Sequence, residues 1–208
     1  MKNYILTPED FLSRKERQHL MKTCREHYEL DLIKGRQTWP VRFMLIDLAL
    51  YSGLRVGEMA ALNVGDISFK EPDPFIIVRH GKGNKKRTVY IDLKLTKHLK
   101  EFINYKAKSL NQSVDMESPL FAGRDGKHSP PITLMKSFKQ AIEIAGLPDR
   151  YSIHKARHTY ATYLLHDTGN LRYVMQQLGH SDISMTTLYA NILPEENGHL
   201  ANKILRDE

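Results

Sequence analysis

From Val41 to Tyr51 the chain is apolar on nearly every face of a helix, with Val41, Met44, Leu45 and Leu48 aligned on one side and Asp47 as the only acid. A helix of this kind cannot lie on a surface, so it must be central and the other elements must pack around it. The most apolar stretch, Phe43 to Tyr51, is broken by Asp47 and does not read as a membrane span, and Met1 to Asp10 is too poor in apolar residues for a signal peptide. The chain is therefore expected to work in the cytoplasm, without a membrane partner.

The elements around that helix can be placed by their punctuation. Ser13 with Glu16 forms a capping box that opens a helix to about Glu26. Gly53 breaks the chain, Arg55 starts a short helix through Ala61, and a turn follows from Asn63 to Asp66. The β-rich runs Phe75 to Arg79 and Arg87 to Ile91 flank a Gly-containing basic segment and read as a hairpin. Helices are expected at Leu93 to Lys108, Pro131 to Ala145, His154 to His166 and Leu171 to Leu178, with Gly179 as a stop and a short turn from Ser184 to Tyr189. No repeat, low-complexity tract or Pro/Gly/Ser linker divides the 208 residues, which suffice for a real core. The expected fold is α+β, mostly helical, with one small antiparallel β-sheet carrying a basic hairpin.

Charge narrows the partner. Thirty-one Lys and Arg against 24 Asp and Glu give a net +7, which favours a polyanion such as nucleic acid or an acidic membrane surface. The single cysteine, Cys24, excludes an intramolecular disulfide and a cysteine-based zinc site, and reads as a core residue in a reducing compartment.

Four stations carry possible chemistry. In Ser52-Gly53-Leu54-Arg55-Val56-Gly57-Glu58 a glycine turn delivers Arg55 to a helix start, and Glu58 on the same face can orient its guanidinium toward a phosphate. The plainer reading is a surface ion pair. Arg79, Lys82, Lys85, Lys86 and Arg87 fall in an acid-free hairpin tip able to straddle a phosphodiester backbone, or else form a solvated basic turn. Gly81-Lys82-Gly83 lacks Walker-loop spacing, so nucleotide binding is not supported.

The third station is His154-Lys155-Ala156-Arg157-His158. His154 and His158 share a helical face, so a zinc pair must be weighed, but the metalloprotease glutamate is missing and Lys155 and Arg157 oppose a cation. Alternatively Arg157 clamps a phosphate while His154 donates a hydrogen bond or moves a proton. For His158 a packing role is preferred. Finally, Leu178-Gly179-His180 is followed by Tyr189, and the two side chains can converge on one site. Spacing alone does not single out Tyr189 among ten tyrosines.

In this order the stations resemble the tyrosine recombinase (phage integrase) family, in its phage integrase or Xer-like flavour. The likeness rests on Ser52-Gly53-Leu54-Arg55-x-x-Glu58, Gly81-Lys82-Gly83, His154-x-x-Arg157-His158-Thr159, Leu178-Gly179-His180 and Tyr189, and runs from about Leu6 to about Leu193. It implies that family's catalytic-domain fold, with Arg55 and Arg157 binding the scissile phosphate and Tyr189 attacking it. Lys82 is implied as general acid toward the leaving 5′-hydroxyl, with His154 and His180 as hydrogen-bonding or acid–base partners and Glu58 in support. Arg79, Lys85, Lys86 and Arg87 would touch DNA. The implied partner is double-stranded DNA with specific recombination sites, bound by a homotetramer that forms from monomers, with no cofactor and no metal. Ala156 and Asn191 depart from residues common in the family, and neither departure removes a catalytic group.

The helical core-binding domain that usually precedes such a catalytic domain has no room here, so residues 1–208 are expected to form a single catalytic domain. The chain is then a fragment of a longer integrase or a relative of single-domain invertases. Residues 194–208 form a tail that by analogy docks on a neighbouring protomer. Three rivals stand beside this reading: a catalytically silent DNA-binding regulator of the same fold, a type IB topoisomerase, and a metal-dependent hydrolase around His154 and His158.

Overall fold

The computed structural model describes residues 7–81, 85–180 and 189. Helix α1 (Arg14–Ile33) opens on the expected box: the Ser13 hydroxyl accepts from the Glu16 N–H at 3.2 Å, and the Glu16 carboxylate accepts from the Ser13 N–H at 2.8 Å. It runs well past Glu26, because nothing breaks it until Gly35 takes a left-handed φ of 63°. Beyond Cys24 its hold on the core thins to Tyr28 and the buried Asp31, and Leu30, Leu32 and Ile33 are exposed. The apolar pattern therefore fades before the helix does.

Helix α2 (Thr38–Tyr51) is the centre. Trp39, Pro40 and every residue from Arg42 to Leu50 are buried, and α1, α4 (Leu93–Ser109), α5 (Pro131–Ile144) and α6 (Ile153–Thr168) pack around it. Each fully buried Leu, Ile or Phe there contributes about 1.5–3 kcal/mol of transfer free energy. Asp47 is tolerated because His98 Nδ1 lies 2.6 Å from its Oδ2.

The sheet has three antiparallel strands where the sequence indicates a two-stranded hairpin. β1 (Ile67–Ser68) pairs with β2 (Phe75–Val78), and β2 pairs with β3 (Arg87–Tyr90) so that Ile76 faces Val89 and Val78 faces Arg87. β1 is two residues long, too short to show an alternation. The short helix α3 (Val56–Ala60) packs on α5, and α7 (Leu171–Leu178) packs on both β3 and α6.

The segment before α1 is tied to α6. The Leu12 N–H donates to Thr159 Oγ1 at 2.9 Å, Lys155 pairs with Asp10 at 3.3 Å, and Phe11 and Leu12 are buried. Lys82, Gly83 and Asn84, the 184–188 part of the expected turn and the tail 194–208 lie outside the described residues. No helix among the described residues is long and apolar enough to cross a membrane.

Candidate active site

Arg55 is the N-cap of α3, delivered there by a tight break after α2. Ser52 Oγ donates to the Leu48 carbonyl at 2.6 Å and accepts from the Leu54 N–H at 3.3 Å, while Gly53 turns with a φ of 64°. A Cβ at Gly53 would lie 2.4 Å from the Tyr160 ring, so the turn needs glycine for its backbone and for space. Glu58 accepts from the Arg55 backbone N–H at 2.8 Å and from Arg55 Nη1 at 2.9 Å, which orients the guanidinium as the sequence suggests.

A second arginine reaches the same carboxylate. Arg87 on β3 donates Nη1 to Oε1 and Nη2 to Oε2 of Glu58, each at 2.8 Å, and its Nε donates to the Gln177 carbonyl at 3.2 Å. Burial disfavours the charged Glu58 carboxylate, yet the hydrogen bonds and charges of Arg87 and Arg55 outweigh it and hold its pKa down to about 2.

A third arginine, Arg157 on α6, lies close enough to feel the charges of Arg55, Glu58 and Arg87. Its Nη1 donates to the Gly53 carbonyl, and its Nη2 donates to the Leu178 carbonyl at 2.7 Å and to His180 Nε2 at 3.0 Å. A guanidinium only donates, so His180 Nε2 accepts and the ring proton sits on Nδ1. Burial, then the charges of Arg157, Arg55 and Arg87, push His180 down to about 4, so it is neutral at physiological pH. Burial and the neighbouring Arg55 charge lower Arg157 to about 10, against the opposing pull of Glu58, and it stays charged.

Tyr189 is buried in a small apolar cluster with Ala161, Val174 and Leu178, and its Oη lies 2.9 Å from His158 Nδ1. Sequence alone favours a packing role for His158; only its place one helical turn after His154, on the face that turns toward Tyr189, marks it out. His154 is exposed in the first turn of α6.

The basic residues of the hairpin divide into two groups. Lys85 and Lys86 are exposed and, with Arg172 and His180, line an open cleft of about 890 Å³ between the hairpin and α7. Arg87 is turned inward onto Glu58. Arg79 is held by two carboxylates, through Nε to Asp66 Oδ1 and through Nη1 and Nη2 to Glu117 at 3.0 and 3.2 Å. Lys82 lies outside the described residues. No group of three or more His, Cys, Asp or Glu side chains suited to a metal occurs among the described residues.

The site thus sets Arg55 and Arg87 on one carboxylate and places Arg157, bonded to His180, within reach of their charges, with a tyrosine alongside. That surplus of fixed positive charge calls for an anion. The architecture matches solved recombinases: a crystal structure of XerA aligns over 99% of this chain and 68% of its own, with a TM-score of 0.73 and 21% identity. XerH bound to palindromic difH substrate aligns over 97% of this chain and 54% of its own, with a TM-score of 0.76 and 21% identity. At these identities the likeness establishes the fold, that of the Xer recombinase catalytic domain.

Sequence establishes the family. Residues 10–196 match the model of the phage integrase family, and the chain belongs to that family. A tyrosine recombinase of Pseudothermotoga lettingae is 33% identical over 165 residues, 79% of this chain and 54% of the relative. One from Thermosipho africanus is 32% identical over 197 residues, 94% of this chain and 62% of the relative. The chain therefore spans between half and two thirds of the length of these curated relatives.

Proposed function

We propose that this chain is the catalytic domain of a site-specific recombinase that cuts and rejoins DNA strands through a 3′-phosphotyrosine at Tyr189. The observation that carries the reading is the cluster of three arginines, Arg55 and Arg87 held on the Glu58 carboxylate and Arg157 bonded to a neutral His180, beside Tyr189. Attack on a phosphodiester builds negative charge on the non-bridging oxygens, and preoriented guanidinium donors stabilise it. Arg55 and Arg157 bind the scissile phosphate, His180 presents its Nδ1–H, His154 is a further hydrogen-bond donor, and Glu58 holds Arg55 in place.

Lys82 is the general acid for the leaving 5′-oxygen on the strength of the family resemblance. The phosphotyrosine conserves the energy of the broken bond, so rejoining requires no ATP. The partner is double-stranded DNA carrying recombination sites, gripped in part by Lys85 and Lys86, and the working assembly is a homotetramer in which the tail 194–208 docks on a neighbour. Residues 1–208 act as one catalytic unit.

The test uses nicked suicide duplexes drawn from the sequences flanking the chain's own gene, incubated in EDTA. A denaturant-resistant protein–DNA band is expected from the parent and none from Tyr189→Phe, with duplex binding retained. Adduct formation by the Phe variant, or inactivation of the parent by chelation, would overturn the reading.

A further inference from the structure

Resting on the recombinase reading, we propose that His158 is a catalytic residue whose Nδ1 takes the proton of Tyr189 as the phenol attacks phosphorus. A phenol is a weak nucleophile while it keeps its proton, with an ordinary pKa of about 10, so the attack needs an acceptor within hydrogen-bond reach. His158 Nδ1 is at 2.9 Å from Tyr189 Oη, on a helix that also fixes Arg157 one residue earlier. His180 is poorly placed for this task, because its Nε2 already accepts from Arg157 at 3.0 Å.

The surroundings of His158 suit an acceptor. Burial disfavours its charged form, and Arg157, His154 and Lys155 add to that effect, so its pKa lies below the ordinary histidine value and the ring is neutral and able to accept. The opposing influence is Asp10, whose charge favours the imidazolium once the proton has arrived. Asp10 is brought to this place by the segment before α1, through the Leu12 to Thr159 bond and the Lys155 pair. In cleavage the Tyr189 Oη–P bond forms, the P–O5′ bond breaks, the phenolic proton moves to His158 Nδ1, and the 5′-oxygen receives a proton from the general acid assigned to Lys82. In rejoining, the imidazolium returns its proton to the departing phenolate.

Single-turnover adduct formation on a nicked suicide duplex in EDTA tests this. His158→Asn, which keeps a hydrogen-bonding group near the Nδ1 position but cannot take up the proton, should slow adduct formation by about a hundredfold with unchanged duplex affinity. Replacing Tyr189 with 3-fluorotyrosine, a more acidic phenol, should restore at least about tenfold of that loss in the Asn variant and little in the parent. A His158→Asn rate close to the parent's, or a slow rate that the fluorinated nucleophile leaves unmoved, overturns the proposal. No adduct from the parent overturns the recombinase reading itself, a different outcome from parental activity with an indifferent His158.

If His158→Asn does not fold, nitrogen-15 NMR of the unsubstituted protein decides. The proposal requires a neutral ring protonated on Nε2 with Nδ1 accepting from Tyr189, and an Nδ1–H ring would refute it.

Discussion

Arg87 and Glu58 form a two-pronged pair, Nη1 to Oε1 and Nη2 to Oε2, each at 2.8 Å, with 12% and 5% of the two side chains exposed. The same carboxylate holds Arg55, so one acid joins β3 to α3, and Arg87 extends the link to the end of α7 through the Gln177 carbonyl. Arg87→Ala should leave a buried carboxylate short of its main partner and cost about 3 kcal/mol. Arg87→Lys keeps the charge but loses the fork, and should fall between. Denaturant unfolding measures both, and a loss below about 1 kcal/mol for the Ala variant, the size of an exposed ion pair, would contradict the account.

Acid should dismantle this pair in a defined window. Glu58 titrates at about 2 in the fold against an ordinary value of 4.5, so its contribution is fully present above 4.5 and is lost as pH falls toward 2. The shift corresponds to about 3 kcal/mol. The stability gap between the parent and Glu58→Gln should therefore shrink between those two values. A gap that stays constant across the window would show that the carboxylate is not held down by its arginines.

His180 should remain neutral far below the usual histidine range. Its folded value of about 4 lies under the ordinary 6.5, so the unfolded chain takes up the proton first and stability falls as pH drops from 6.5 toward 4. Nitrogen-15 NMR should show an unprotonated Nε2 at pH 6, and Arg157→Ala should move the titration back up. Protonation of His180 near 6.5 in the parent would contradict the bond from Arg157.

The basic hairpin should divide in solution as it does in the structure. Replacing Lys85 and Lys86 with Ala should weaken duplex binding and reduce the salt slope by about one for each phosphate no longer neutralised. Arg79→Ala should leave the slope nearly unchanged, because Asp66 and Glu117 already hold that side chain. Binding titrations across a salt series distinguish the two, and equal slopes in both variants would contradict the division.

Local signals make much of this legible in the sequence. The all-round apolar helix announces its central place, the Ser13 and Glu16 box its neighbour's start, and the period of Leu171, Val174, Met175 and Leu178 the whole of α7. Glu58 is legible as the orienting group for Arg55 because helical spacing puts the two on one face. Long-range pairing is not legible. That Arg87 turns inward to Glu58, and that Arg79 is taken by Asp66 and Glu117, depends on packing between elements whose sequence distance carries no pattern. His158 is hidden for the same reason: a histidine on a buried helical face looks like packing until the tyrosine it meets, 31 residues later, is in view.

A recombinase that attacks through Tyr189 holds the DNA on that residue after cleavage. The direct measurement is mass spectrometry of the peptide bearing the 3′-phosphate after the parent protein has reacted with a suicide duplex in EDTA. Linkage at Tyr189 is the predicted result, and linkage at Tyr160, Tyr163, Tyr173 or any other residue would contradict the account.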